Sequence, residues 1–145
     1  MKMIRNKSKK GFTLVELIVV LVILAVLAAM LVPALTGYIR RARQEKDYQF
    51  AATVLTAAQS AATYQYSIDN TGSSITKDTA TNGASGSKEI TVNDLVGTTS
   101  DTSWDCSFTM NSKGVIDGGY VDITNNSTTY RYTWEDGEWT AAKQN

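Results

Sequence analysis

A long run of uncharged, mostly apolar residues, Leu17 to Leu35, limits how this chain can fold more than any other feature. Counted from Phe12, the stretch to Leu35 would be about 36 Å long as a helix, at about 1.5 Å per residue. That length is enough to cross a bilayer. It also exceeds the apolar core of an ordinary secretory signal, which has about 7–15 residues. The run therefore predicts a membrane-spanning helix near the N-terminus.

A basic leader precedes the apolar run, and its charged residues are Lys2, Arg5, Lys7, Lys9 and Lys10. Positive charge beside a membrane span favours the cytoplasmic side, so the leader is expected inside and the rest of the chain outside. Two simple interpretations are a cleaved signal and a plain single-pass anchor. A signal-peptidase site around residues 26–28 is a poor one because the apolar run continues past it.

Neither simple interpretation explains Glu16, which lies just inside the apolar block. A carboxylate in a membrane span is rare and usually marks a function. With the preceding residues it forms the segment KGFTLVEL at residues 10–17. This segment, between a basic leader and a membrane-length apolar run, resembles the N-terminus of type IV prepilins and related pseudopilins.

The resemblance covers roughly the first 35 residues and implies a processing site and an assembly site. A prepilin peptidase would cut after Gly11 on the cytoplasmic side and methylate the new amine of Phe12. Glu16 would then accompany Phe12 in subunit assembly, because a dry filament core favours pairing that amine with a carboxylate of a neighbouring subunit. The implied partners are identical subunits, the peptidase/methyltransferase, and a membrane assembly platform with its ATPase.

Two residues predict a kink in the apolar helix. Pro33 lacks the N–H that would bond to the carbonyl of Ala29, and its ring clashes there. Gly37 adds a second weak point. The kink has a structural interpretation and a functional one, and the resemblance favours the second, since type IV pilins commonly carry a proline at this depth.

The rest of the chain predicts an α+β fold, in which one long helix packs against a C-terminal antiparallel sheet of about four strands. Residues 1–11 form the removable leader, 12–37 the membrane and assembly helix, and 38–68 its amphipathic continuation. Residues 69–88 are rich in Ser, Thr, Asn and Gly and predict a surface loop. Residues 89–145 alternate in the manner of strands, beginning with residues 89–92 and ending in a hairpin at residues 135–137.

Composition excludes several classes of function. The chain has no histidine and one cysteine, Cys106, so an intrachain disulfide is impossible and an enzyme is not expected. No cofactor or metal is expected, although a calcium site remained an alternative for five aspartates of the C-terminal region, Asp94, Asp101, Asp105, Asp117 and Asp122. Many type IV pilins close their C-terminal region with a disulfide, and its absence suggests a prokaryotic, Gram-positive source.

Charge is distributed unevenly along the chain. Removal of the leader leaves nine basic and fourteen acidic side chains, a net of about −5. This acidic body argues against direct nucleic-acid binding. Three arginines, Arg40, Arg41 and Arg43, follow the apolar run, and Glu45 and Asp47 lie at helical offsets where they can pair with them.

The sequence therefore predicts a precursor held in the cytoplasmic membrane that becomes a subunit of a type IV pilus, a cell-surface filament. One alternative is a pseudopilin of a type II secretion or competence (DNA uptake) system. A second is a membrane-anchored sensor or binding domain that keeps its leader.

Overall fold

The structure is a computed structural model that describes residues 11–68, 74–82, 89–97 and 102–144. Of the predicted leader, residues 1–11, all but Gly11 lie outside the described residues. The chain divides into two compact units, Met1–Arg43 and Gln44–Asn145. Helix α1, Leu14–Ile68, contributes residues to both units.

The described part of the first unit is mainly a helix that is apolar on every side as far as Arg40. Within α1 an 18-residue window has a mean hydropathy of 3.2, and none of that window is buried. By length and composition α1 can cross a membrane. The helix continues through Pro33 and Gly37 without a break, and the hydroxyl of Thr36 donates to the Pro33 carbonyl oxygen at 2.8 Å. The predicted kink at these positions stays a prediction.

The second unit contains the rest of α1 and an antiparallel meander. Its elements are β1 (Ser74–Thr76), α2 (Val92–Val96), β2 (Ser103–Met110), β3 (Ile116–Asn125), β4 (Thr128–Glu135) and β5 (Glu138–Gln144). The strands pair in chain order, β1-β2-β3-β4-β5, and each pairing is antiparallel. The predicted α+β class is confirmed, and the sheet has one strand more than expected.

The additional strand, β1, lies inside the predicted surface loop 69–88. Its central residue, Ile75, is fully buried and is paired with Phe108 of β2. A strand of three residues has too few positions for an apolar–polar alternation to be recognised in the sequence, particularly among Ser, Thr and Gly neighbours. Pairing with β2 and burial of one isoleucine therefore decide the conformation of this segment.

The predicted strand at residues 89–92 is wrong, because Val92 begins α2 and Thr91 is its N-cap. The Thr91 hydroxyl accepts from the Asp94 N–H at 3.3 Å, and an Asp94 carboxylate oxygen accepts from the Thr91 N–H at 3.0 Å. This reciprocal capping box supplies partners for two donors that a helix start leaves free. Burial of Val92 fixes the short helix to the core.

The core lies between the second half of α1 and one face of the sheet. Small residues form the buried face of the helix: Ala51, Val54, Ala57, Ala58, Ala61 and Ala62. Opposite them the sheet contributes larger side chains: Trp104, Cys106, Phe108, Val121, Ile123 and Tyr132. The predicted packing of the helix against the sheet is confirmed, and the small helix residues leave room for the aromatic side chains of the sheet.

Tyr132 joins β4 to the helix by a polar contact within this core. Its hydroxyl donates to Asp47 Oδ2 at 3.0 Å, and the ring of Tyr48 meets it edge-on at 5.0 Å between centroids. Burial, and then the bond to Asp47, raise the pKa of Tyr132 above its ordinary value. The sequence predicts that Asp47 can pair with the neighbouring arginines. Among the described residues it makes no such pair, because Tyr132 engages its carboxylate.

Gln59 holds the turn between β2 and β3 against α1. Its Nε2 donates to the Gly114 carbonyl oxygen at 2.8 Å, and its Oε1 accepts from the Ile116 N–H at 3.0 Å. Gly114 lies in the turn before β3, and Ile116 is the first residue of that strand. One amide side chain thus satisfies a donor and an acceptor that are partly buried.

Replacement of Gln59 by leucine is expected to destabilise the second unit by about 1–3 kcal/mol, because it leaves a backbone N–H and a carbonyl without partners. Urea unfolding of the detergent-solubilised full chain, followed by tryptophan fluorescence, measures the loss. Gln49→Leu on an exposed turn of the same helix is the matched control and should change stability by less than about 0.5 kcal/mol. Equal effects of the two variants would contradict the assigned role.

Candidate functional site

Gly11 and Phe12, the predicted cleavage site, precede the first turn of α1. Neither residue is helical, and 88% of Phe12 is exposed. A Cβ built on Gly11 would meet nothing within 4 Å. The peptide bond between the two residues thus lies in non-helical, exposed backbone, a form in which a peptidase can bind it.

Thr13 and Glu16 cap the N-terminus of α1. The Thr13 N–H donates to Glu16 Oε2 at 2.9 Å, and the Glu16 N–H donates to the Thr13 hydroxyl oxygen at 3.3 Å. Since α1 begins at Leu14, Thr13 is the N-cap and Glu16 is the third helical residue. The pair forms a reciprocal capping box, and the carboxylate lies where the helix dipole favours a negative charge.

The cap leaves acceptor capacity on Glu16. Only Oε2 is used, and within the described part of the chain Oε1 has no hydrogen-bond partner. A carboxylate accepts about four hydrogen bonds through its two oxygens. Glu16 can therefore retain its bond to Thr13 and still accept from a cationic donor outside the chain.

The capping role of Thr13 is the part of this site that sequence reasoning missed. The signal was present, because a threonine followed three residues later by a glutamate, directly before an apolar run, is typical of a capping box. The unusual position of Glu16 in an apolar segment drew attention to its charge. The bonds between Glu16 and Thr13 give a second, local reason for a glutamate at this position: it caps the helix.

The apolar half of α1 continues from this cap. Large side chains around the whole circumference are exposed, and among them Leu17, Val20, Ile23 and Leu27 are each more than half exposed. A helix that is apolar all round is stable in a bilayer or among other apolar helices, and not in water. The candidate site thus consists of a capped helix N-terminus that carries a glutamate, followed by a helix whose exposed surface requires an apolar environment.

Among the described residues, the aspartates considered for a calcium site do not come together. In the described residues no group of three or more His, Cys, Asp or Glu side chains is placed to hold a metal ion. Asp101 lies outside those residues, and the remaining four aspartates have separate partners: Asp94 caps α2, Asp105 lies 4.0 Å from Lys77, Asp117 accepts from Thr109, and Asp122 pairs with Arg131.

Cys106 is buried on the inner face of β2 and has 3% of its surface exposed. Burial, with a contribution from the charge of Asp105, raises the pKa of its thiol to about 12. The thiol is therefore protonated at neutral pH and serves as a small apolar core residue.

Comparison with known protein families gives a match in the N-terminal part of the chain, which contains the capped helix start. Residues 6–32 match a family model described as the prokaryotic N-terminal methylation motif. This motif is characteristic of type IV pilins and pseudopilins. No curated protein and no solved structure matched the chain. The motif supports a role like that of type IV pilins or pseudopilins and is concentrated in the capped, apolar part of the chain.

Proposed function

We propose that this chain is the precursor of a type IV pilin that is cut between Gly11 and Phe12, methylated on the amine of Phe12, and polymerised through α1 into a surface filament. The observation that carries the proposal is the methylation motif on a capped helix whose apolar half is exposed all round. A structural subunit needs no catalytic set, and the family that carries this motif is structural.

The exposed apolar half of α1 has to be covered by apolar material, first in the precursor and then in the filament. Before assembly a bilayer covers this surface, which anchors the precursor with its head outside. In a filament the same surface is covered by the helices of neighbouring copies. Pro33 and Gly37 lie in this half and provide positions where the helix can bend or extend as it leaves the membrane.

Glu16 connects processing to assembly. Cleavage at Gly11 creates a cationic amine on Phe12 beside an apolar helix, and such a charge requires a partner once lipid and water are excluded. Oε1 of Glu16 has no hydrogen-bond partner among the described residues, so in a neighbouring copy it can accept from that amine while Oε2 keeps its bond to Thr13. The pair then fixes the axial position of one subunit against the next.

The proposal implies a set of partners and a location. The precursor lies in the cytoplasmic membrane, where a prepilin peptidase/methyltransferase acts on it, and a membrane platform with an ATPase then assembles identical subunits at the cell surface. A Gram-positive source stays a prediction from the missing cysteine pair. Pseudopilins share the motif and build shorter fibres, so long surface filaments labelled by antibody favour the pilin over a secretion or competence pseudopilin.

N-terminal mass spectrometry of sheared surface material tests processing and assembly together. The expected peptide begins at N-methylated Phe12. A Gly11→Val variant is expected to retain its leader and to leave the surface without filaments, because a branched side chain replaces hydrogen at the scissile bond. Gly37→Ala is the matched control, since a Cβ there also meets nothing within 4 Å, and it should be processed normally. An intact Met1, or cleavage beyond Ala28, would contradict the proposal.

A further inference from the structure

Three neighbouring arginines on α1 have no ion-pair partner among the described residues. Arg40, Arg41 and Arg43, here called the arginine band, lie within one turn of the helix directly after the apolar run, and all three are exposed. Among the described residues none of them makes an ion pair or a hydrogen bond. Asp47, their neighbour, is held by Tyr132 instead.

Three carboxylates form a second uncompensated group at the β4–β5 hairpin. Glu135, Asp136 and Glu138, here called the acidic tip, are exposed and make no ion pair with any described residue. Asp136 and Gly137 form the turn, with φ of 51° and 86°. The register places Glu135 directly opposite Glu138, and like charges in that arrangement destabilise a hairpin. A cation at the tip would remove this repulsion.

The two groups match in charge and chemistry. Guanidinium groups bind carboxylates in paired hydrogen bonds, and the arginine band presents three of them to three acceptors on the acidic tip. Headgroups of a membrane could contact the arginine band, but they would leave the acidic tip with its repulsion. A second copy of the chain compensates both groups at once.

We infer that the acidic tip of one copy docks on the arginine band of a neighbouring copy. The inference rests on the proposed function, namely that the chain polymerises. The contact joins two different surfaces, so it is heterologous, and repetition of a heterologous contact generates an open helical filament when its rotation does not close a ring. The docking thus supplies a charged contact outside the apolar helix packing and the pairing at Glu16.

Charge exchange tests the docking. Arg40→Glu with Arg43→Glu reverses one face of the arginine band, since these residues lie one turn apart. Glu135→Lys with Glu138→Lys reverses the acidic tip and leaves the turn residue Asp136 in place. Each pair alone is expected to lower the yield of sheared filaments by on the order of tenfold, and the two together should restore most of the yield. Asp78→Lys with Glu89→Lys, both exposed acids elsewhere, is the control and should leave the yield unchanged.

Cysteine cross-linking locates the contact between copies. Cells that produce both an Arg43→Cys chain and a Glu138→Cys chain should yield disulfide-linked dimers in intact filaments, whereas either chain alone should not. Cys106 can remain in place because it is buried. Filaments without such dimers, or charge variants that the exchange does not rescue, would overturn the docking and leave the proposed function standing. Absence of filaments from the unaltered chain would instead contradict the proposed function, and the docking with it.

Discussion

Replacement of Glu16 by alanine is expected to abolish surface filaments while the precursor still accumulates in the membrane. The variant removes the only carboxylate of the apolar half of α1, and with it the proposed partner of the Phe12 amine in a neighbouring copy. An unpaired amine among packed apolar helices is strongly unfavourable. Quantitative immunoblotting of sheared and membrane fractions measures the redistribution, and we expect at least a hundredfold loss (about 2.7 kcal/mol per contact) from the sheared fraction.

Two further variants separate the charge of Glu16 from its capping role. Glu16→Gln keeps an oxygen that can accept from the Thr13 N–H but removes the negative charge, so it should fail to assemble nearly as completely as alanine. Thr13→Val removes the hydroxyl that accepts from the Glu16 N–H and keeps the charge, so filaments should persist at reduced yield. Normal assembly of the glutamine variant would contradict the pairing, and complete loss in Thr13→Val would show that assembly requires the cap as well as the charge.

Replacement of Gly119 by alanine is expected to destabilise the second unit by about 3 kcal/mol. Gly119 has a φ of 144°, which L residues rarely adopt, and a Cβ there would lie 2.5 Å from both Phe108 Cα and the Ser107 carbonyl oxygen. These contacts are backbone atoms of β2, so relief requires the two strands to separate. Thermal unfolding of the full chain in detergent, followed by tryptophan fluorescence, should show a decrease in Tm of roughly 10–20 °C.

The adjacent glycine provides the control for this variant. Gly118 faces the opposite side of the sheet, and the nearest atom to a Cβ there is the Thr109 hydroxyl oxygen at an ordinary 3.5 Å. Gly118→Ala should change stability by less than about 1 kcal/mol. Similar losses at the two positions would show that β3 requires glycine for a reason other than the approach of Phe108.

The sequence predicted the elements whose signal is local and long. Helix-forming residues without proline or glycine continue from Tyr38 to about Ile68, and α1 extends through these described residues. The hairpin turn at Asp136 and Gly137 was readable because few residues adopt positive φ twice in succession. Short elements were missed. The segments that became β1 and α2 contain three and five residues, too few for a period to appear.

At the N-terminal site the sequence supplied the residues and the structure supplied part of their chemistry. Gly11, Phe12 and Glu16 were identified from spacing and resemblance, and the methylation motif matches the same stretch. The bond from Thr13 to Glu16 showed that the acid also caps its own helix. That bond changes the interpretation of variants at Glu16, because charge and cap are lost together in alanine.

By itself the sequence determined the class of fold and the membrane-length helix, because these depend on periodicity and on the length of one apolar run. The tertiary structure decided which charges remain uncompensated. Asp47 is engaged by Tyr132, which lies 85 residues further along the chain. The arginine band therefore has no ion-pair partner among the described residues. Such pairings depend on distances between residues far apart in sequence, and no local pattern encodes them.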